Sequence, residues 1–219
     1  MLNINKTDFS RRRDPGRASD RIAQRAARTL GACADALLSR RYGNRAIVLE
    51  TVTAVPPMAL ATLLHLRCLR KMIDDRGWVR TFMDEAENQR AHLMSFVTLA
   101  RPSAGERFLI LLAQGIFYNG CFLLCLISPR TAHRFTAYLA EESIRAYSDH
   151  LAGLAADPAS NGPAPPVAIS YWGLPADAKL SDMIAAMRED EAIQRDVHHA
   201  FADALADGLE LPATTGPLL

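Results

Sequence analysis

An all-α bundle of six helices is the fold class this sequence predicts, and three observations predict it. Apolar residues recur every three or four positions over long stretches, helix breakers separate those stretches, and no run shows the period of two that strands need. No segment repeats internally. At 219 residues the chain suffices for one domain with a sizeable core.

Residues 1–17 read as a polar arm. Helical patterns then run over about 18–40, 45–72, 78–100, 104–127 and 129–154. A connector follows with Pro158, Pro163, Pro165, Pro166 and Pro175, and its Ile169, Tyr171 and Trp172 predict that it packs on the bundle. The last helix is expected over 181–206. The bundle thus occupies 18–207, and a short tail occupies 208–219.

Net charge is +1, which excludes a chain that is globally a nucleic-acid binder or an acidic scaffold. The charge is uneven: residues 1–45 hold eleven Lys or Arg against four Asp. Arg21, Arg25 and Arg28 recur at helical spacing and predict a basic stripe. No aromatic residue interleaves it and no helix-turn-helix or zinc pattern follows, so the stripe is read as facing anionic lipid rather than nucleic acid. A solvated helix face is the plain alternative.

Cys33, Cys68, Cys121 and Cys125 form no Cys-x-x-Cys pair. They are expected to be buried free thiols in a reducing compartment. The N-terminus has no apolar core of a secretory signal, and Asp8, Asp14 and Asp20 argue against a transit peptide.

Two segments are unusually apolar. Residues 108–127 are twenty positions without a charge, long enough to span a bilayer, and 46–64 carry a single charge, Glu50. A span would pull apart the short-loop bundle, and Arg107, Arg130 and Arg134 restore charge within a turn of the first segment. The expectation is therefore a monotopic protein, its apolar helix surface lying in one leaflet.

Residues three apart on a helix share a face, so Gln89 with His92, and Glu191 with Gln194, each point at a common centre. Carboxylate di-metal bundles use one Glu from each of two helices and a Glu-x-x-His pair from each of two others. Glu50 stands where a lone Glu would. No glycine-rich phosphate loop and no Ser-His-Asp arrangement competes with this reading.

The segments RYGNRAIVLETVTAVP, DEAENQRAHLMSF, QGIFYNGCFLLCLISPRTAHR, YLAEESIRAYSDHL, PAPPVAISYWGLP and EDEAIQRDVHH together resemble the alternative oxidases, the cyanide-insensitive ubiquinol oxidases. The likeness covers about residues 20–205. It implies a ferritin-like four-helix-bundle core, dimeric and monotopic, with a di-iron centre that oxidises quinol and reduces oxygen to water. Carried over residue by residue, it implies that Glu50, His92 and Glu191 keep ligand identity, while Gln89, Ala140 and Gln194 replace a Glu, a Glu and a His. In the family's arrangement the three retained groups reach the same iron, and Ala140 and Gln194 belong to the other. The resemblance further implies bracing by Asn88, Asp190 and Trp172, a tyrosine near the metal at Tyr147, and a quinone pocket at Arg45, Leu49, Glu142, Ser143 and Ala146.

Four carboxylates balance two divalent irons, whereas Glu50 and Glu191 balance one, and a neutral amide is a poor ligand and bridge for a hard ion. The expectation is one non-haem iron per chain held by Glu50, His92 and Glu191, with two irons or none as alternatives. Glu141, beside Ala140, is a replacement ligand only if it overcomes the ~100° step between neighbours on a helix. Asp196-x-x-His199 has ligand spacing but lies about 140° round the helix from Glu191. His65, His133 and His199 are read as core or rim residues. The expected function is a membrane-surface oxidoreductase acting with oxygen on an apolar quinol, phenol or lipid-like substrate, a homodimer on the cytoplasmic face of a bacterial inner membrane, without nucleic acid. The alternatives are a non-catalytic quinone-binding or scaffold paralogue and a true quinol oxidase with unusual di-iron ligands.

Overall fold

The structure is a computed structural model, and it describes residues 8–38, 50–100 and 103–208. Arg45, Leu49 and the tail from residue 209 on lie outside the described residues. Among the described residues seven α-helices follow in order: α1 (Ala18–Leu38), α2 (Val55–Lys71), α3 (Trp78–Ala100), α4 (Ala104–Ile127), α5 (Pro129–Ala156), α6 (Pro166–Trp172) and α7 (Leu180–Ala206). No strand occurs among the described residues; Pro163 and Lys179 form one isolated bridge.

Local chemistry sets the boundaries. Ser128 caps α5, its hydroxyl accepting from the Thr131 amide at 3.3 Å, and Pro129 follows where a missing N–H costs nothing. A helical turn at 50–53 precedes α2, whose Pro56 and Pro57 fall in its first turn. Helix α2 ends on Met72 in the left-handed region, its amide bonding back to Cys68 and Leu69. The expected connector holds a helix that the sequence reading missed. Pro166 opens α6, and Gly173 closes it at φ +61°, a conformation that favours glycine.

Helices α2, α3, α5 and α7 form the four-helix core, with α1 packed on α5 and α4 against α2 and α5. One apolar cluster gathers Leu60, Trp78, Phe82, Phe135, Leu139 and Phe201, and a second joins Phe96, Tyr147, Met183, Ile184 and Met187 beneath α6. Among the described polar residues, Glu50, His92, Ser95, Ser143 and His198 are fully buried.

The arm is not loose. Arg13 makes a paired contact with Asp203 at 2.6 and 2.9 Å, and its amide donates to Glu141 at 3.1 Å. Two stretches, Glu50–Lys71 and Ile110–Ile127, are long and apolar enough to cross a membrane by length and composition. They differ in burial: 44% of the first is inside the protein but only 11% of the second. Helix α4 therefore presents Phe108, Leu111, Leu112, Ile116, Leu123, Leu126 and Ile127 outward, and α2 adds Met58, Leu66 and Leu69. Arg21, Arg25 and Arg28 are exposed along α1. Cys68, Cys121 and Cys125 are buried thiols as expected, but Cys33 is exposed.

Candidate metal centre

Glu50, His92 and Glu191 converge. Their ligand atoms lie within 4.8 Å of one another, and all three side chains are buried. The helical turn at 50–53 directs Glu50 and Thr53 to the same side, toward α3. His92 Nδ1 lies 3.2 Å from Glu50 Oε2 and 3.8 Å from Glu191 Oε1. Its other nitrogen, Nε2, is 3.2 Å from Asp190 Oδ2. This is the arrangement in which an outer carboxylate orients an imidazole and leaves the inner nitrogen for a cation.

Asp190 Oδ2 also accepts from Asn88 Nδ2 at 2.6 Å and Trp172 Nε1 at 2.8 Å. The three residues singled out as braces therefore meet on one oxygen. Tyr147 donates its hydroxyl to Glu50 Oε1.

The substituted positions are not a hole. Gln89 Nε2 donates to Glu191 at 2.8 Å and to Gln194 Oε1 at 2.7 Å, and Gln89 Oε1 accepts from Thr53 at 2.7 Å. Gln194 Nε2 donates to Asn88 Oδ1 at 2.9 Å. A neutral hydrogen-bonded chain, Thr53–Gln89–Gln194–Asn88, thus lies beside Glu191, with both amides satisfied. Ala140 is buried and brings no polar atom to it.

Burial works against a charge on His92, but Glu50, Asp190 and Glu191 outweigh it and raise its pKa to about 10. Burial, reinforced by the charge of Glu50, pushes Glu191 up to about 8. These are electrostatic stresses that a divalent cation would relieve.

The remaining expected residues divide. Glu142 is held by Arg145 at 2.9 and 3.0 Å and lies under Gly31 of α1, where a Cβ would come within 3.2 Å of its Oε2. Ser143 and Ala146 are buried on the same helix, and the Ser143 hydroxyl has no partner. Glu141 turns away from the centre to His199 Nε2 at 3.0 Å and to the Arg13 amide. Asp196 likewise turns to Arg195 rather than pairing with His199.

Sequence reasoning missed a second buried polar group. His198 Nε2 lies 2.8 Å from Glu85, and His198 Nδ1 lies 2.8 Å from His133 Nδ1. Burial and the facing His198 hold His133 well below the usual imidazole range, so it is neutral. Spacing could have found the pair: Glu85 stands seven residues before His92, and His198 seven after Glu191, on the same faces of two helices.

A profile of the alternative oxidase family matches residues 3–203. Ubiquinol oxidase 2, mitochondrial, of Glycine max is 44% identical over 211 residues, covering 96% of this chain and 63% of its own length. Ubiquinol oxidase 1a, mitochondrial, of Oryza sativa subsp. japonica is 45% identical over 211 residues, with 96% and 64% covered. Alternative oxidase 3, mitochondrial, of Glycine max is 43% identical, with 96% and 65% covered. The chain spans a little under two thirds of the length of these relatives. With six motifs in order and this breadth of match, the chain belongs to the alternative oxidase family.

Proposed function

We propose that this chain is a membrane-surface oxidoreductase that holds one non-haem iron between Glu50, His92 and Glu191 and acts with oxygen on an apolar quinol, phenol or lipid-like substrate. The observation that carries the reading is the gathering of two carboxylates and one imidazole at Glu50, His92 and Glu191, with the neutral chain Thr53–Gln89–Gln194–Asn88 taking up the substituted positions beside Glu191. Two carboxylates balance one divalent ion. A second ion would have to displace satisfied amides and would find no carboxylate at Ala140.

When bound, the iron supplies redox chemistry toward oxygen. The protein's groups do the rest. Asp190, fixed by Asn88 and Trp172, holds the His92 ring with Nδ1 inward. Full burial keeps bulk water from the centre. Tyr147 holds a proton against Glu50 and is placed to exchange it there. On this reading Glu142, Ser143 and Ala146, with Arg45 and Leu49, receive the substrate headgroup. The outward apolar faces of α2 and α4 support entry from a lipid leaflet. The homodimer and the cytoplasmic face of a bacterial inner membrane belong to the same proposal; the relatives named above are mitochondrial.

Reducing oxygen to water takes four electrons, a task suited to adjacent irons, so quinol-oxidase turnover is expected to be weak. The second reading is a non-catalytic paralogue, in which His92 stays paired with Glu50 and Asp190. Elemental analysis of protein purified without added metal separates the readings. About one iron per chain, lost in Glu191→Gln, supports the proposal. Two irons with full quinol oxidation support a true oxidase, and no bound metal supports the paralogue.

A further inference from the structure

The family resemblance makes positions 89 and 194 ligand positions, and here both carry amides. Gln89 Nε2 has two N–H groups, and they reach Glu191 Oε1 at 2.8 Å and Gln194 Oε1 at 2.7 Å. Gln194 Nε2 donates to Asn88 Oδ1 at 2.9 Å, and Asn88 Nδ2 donates to Asp190 Oδ2 at 2.6 Å. Asp190 Oδ2 in turn lies 3.2 Å from His92 Nε2. One continuous path thus runs from Glu191 to His92, two of the three candidate ligands, and it crosses between α3 and α7 at every step. Thr53, on the helical turn that carries Glu50, donates to Gln89 Oε1 at 2.7 Å and ties the segment of the third ligand to the same path.

The donor directions along this path are fixed, because a carboxylate oxygen accepts at each end. Gln89 and Asn88 therefore turn their NH2 groups toward Glu191 and Asp190. Asn88 Oδ1 is left facing Gln194, which presents its NH2 there and its Oε1 to Gln89. Turning the Gln194 amide over would set oxygen against oxygen at Asn88 and NH2 against NH2 at Gln89. Gln194 is thus the member that joins the two ends, and among the described residues it makes no hydrogen bond to Glu50, His92 or Glu191 itself. Gln89, Gln194 and Asn88 are only 1%, 4% and 1% exposed, so bulk water does not replace a bond that is removed.

We infer that Gln194, together with Gln89, is a positioning residue for the one-metal site: the two amides hold Glu191, and through Asn88 and Asp190 the His92 ring, facing a common ion. The inference rests on the reading of Glu50, His92 and Glu191 as ligands. Neutrality is what suits an amide to this task. A carboxylate at position 89 or 194 would add an anion and favour a second cation, whereas an amide braces its neighbours and leaves Glu50 and Glu191 to balance one divalent ion. An amide also donates and accepts at once, which a methyl or an ionised carboxylate cannot do. The substituted half of the site therefore supports the retained half, in the way that outer hydrogen-bonding partners orient metal ligands.

The test uses the full chain and cobalt(II), whose visible absorption reports both how tightly the ion binds and how its ligands are arranged. Gln194→Met keeps the length of the side chain and removes both of its hydrogen bonds. Cobalt affinity should fall by about tenfold or more, and the absorption of the bound ion should change, because Glu191 and His92 are no longer held in one arrangement. Asn88→Leu should do the same. In the double variant the second substitution should cost much less than it does alone, since Gln194 acts through Asn88. If Gln194→Met fails to fold, Gln194→Asn, whose shorter amide cannot span both partners, decides by the same readouts. A merely structural role would lower the urea midpoint of metal-free protein and leave cobalt affinity and absorption as in the parent, and that result overturns the inference. So does a double variant in which the two losses multiply in full. A parent chain that binds no cobalt overturns the one-metal reading itself, and the inference with it.

Discussion

Glu191 and His92 both bind protons more tightly in the folded protein than they would in the unfolded chain. Burial and then Glu50 raise Glu191 to about 8; burial opposes His92, but its carboxylate neighbours raise it to about 10. A raised pKa contributes stability at low pH and loses it as pH climbs through the folded value. Metal-free protein should therefore lose resistance to urea progressively between pH 5 and about 8 through Glu191, and further toward about 10 through His92. Glu191→Gln should remove the first part of that slope. A divalent ion must displace these protons, so its affinity runs the other way, rising by about tenfold per pH unit for each proton displaced. Manganese titrations at low and neutral-to-alkaline pH measure this, and a pH-independent affinity would contradict the site. Ala140→Glu tests the neighbouring position. Alone it buries an unpaired carboxylate and should cost on the order of 3 kcal/mol by urea unfolding. Combined with Gln89→Glu and Gln194→His it should bind two irons per chain by elemental analysis, since the helices that would present those groups are already in register.

The helices themselves differ in how far they could be read in advance. Helices α3 and α4 begin and end where the periodicity stops, and Ser128-Pro129 announces α5 without ambiguity, because a cap and a proline at the first turn say the same thing. Helix α6 was hidden because five prolines read as breakers, whereas Pro166 starts a helix as readily as it prevents one. The pairs Gln89/His92 and Glu191/Gln194 were legible from spacing, and with them the centre on which they converge. The partner Thr53 was not, and the Glu85–His198–His133 group left only the seven-residue spacing of Glu85 and His198 as a sign, because each residue alone looks like an ordinary buried polar side chain until the packing of α3 on α7 is known. Helix α6 has a role that follows from its position. It packs on α3 and α7 and carries Trp172 to Asp190, which in turn orients His92. Trp172→Phe keeps the apolar bulk and removes one hydrogen bond. Metal affinity should fall by about 10-fold or more, in the range found when the brace of a ligand is lost, while the urea midpoint changes little. Equal metal affinity in parent and variant would mean that Asn88 alone suffices to fix Asp190.

Considered as a body, the protein separates its surfaces by chemistry. The exposed apolar residues concentrate on α4 and the adjoining side of α2, and the outward arginines run along α1, which packs on α5. An outward face this apolar is larger in character than the scattered hydrophobic residues of a soluble surface. On the proposed embedding in one leaflet, α4 would lie along the acyl boundary and the α1 cations would meet anionic headgroups. Two measurements then separate the contributions. Arg21→Gln, Arg25→Gln and Arg28→Gln combined should weaken binding to anionic vesicles by about 3 kcal/mol, roughly 100-fold, at about 1 kcal/mol per cation near the surface. The loss should shrink in high salt, since screening removes the same attraction in the parent. Ile116→Glu and Leu123→Glu on α4 should instead weaken binding to neutral and anionic vesicles alike, with little dependence on salt, because they remove apolar insertion rather than steering. Vesicle sedimentation reads both. If the α4 pair leaves vesicle binding intact but converts an oligomer to a monomer in detergent-free buffer, that face is an interface between copies and not the membrane surface.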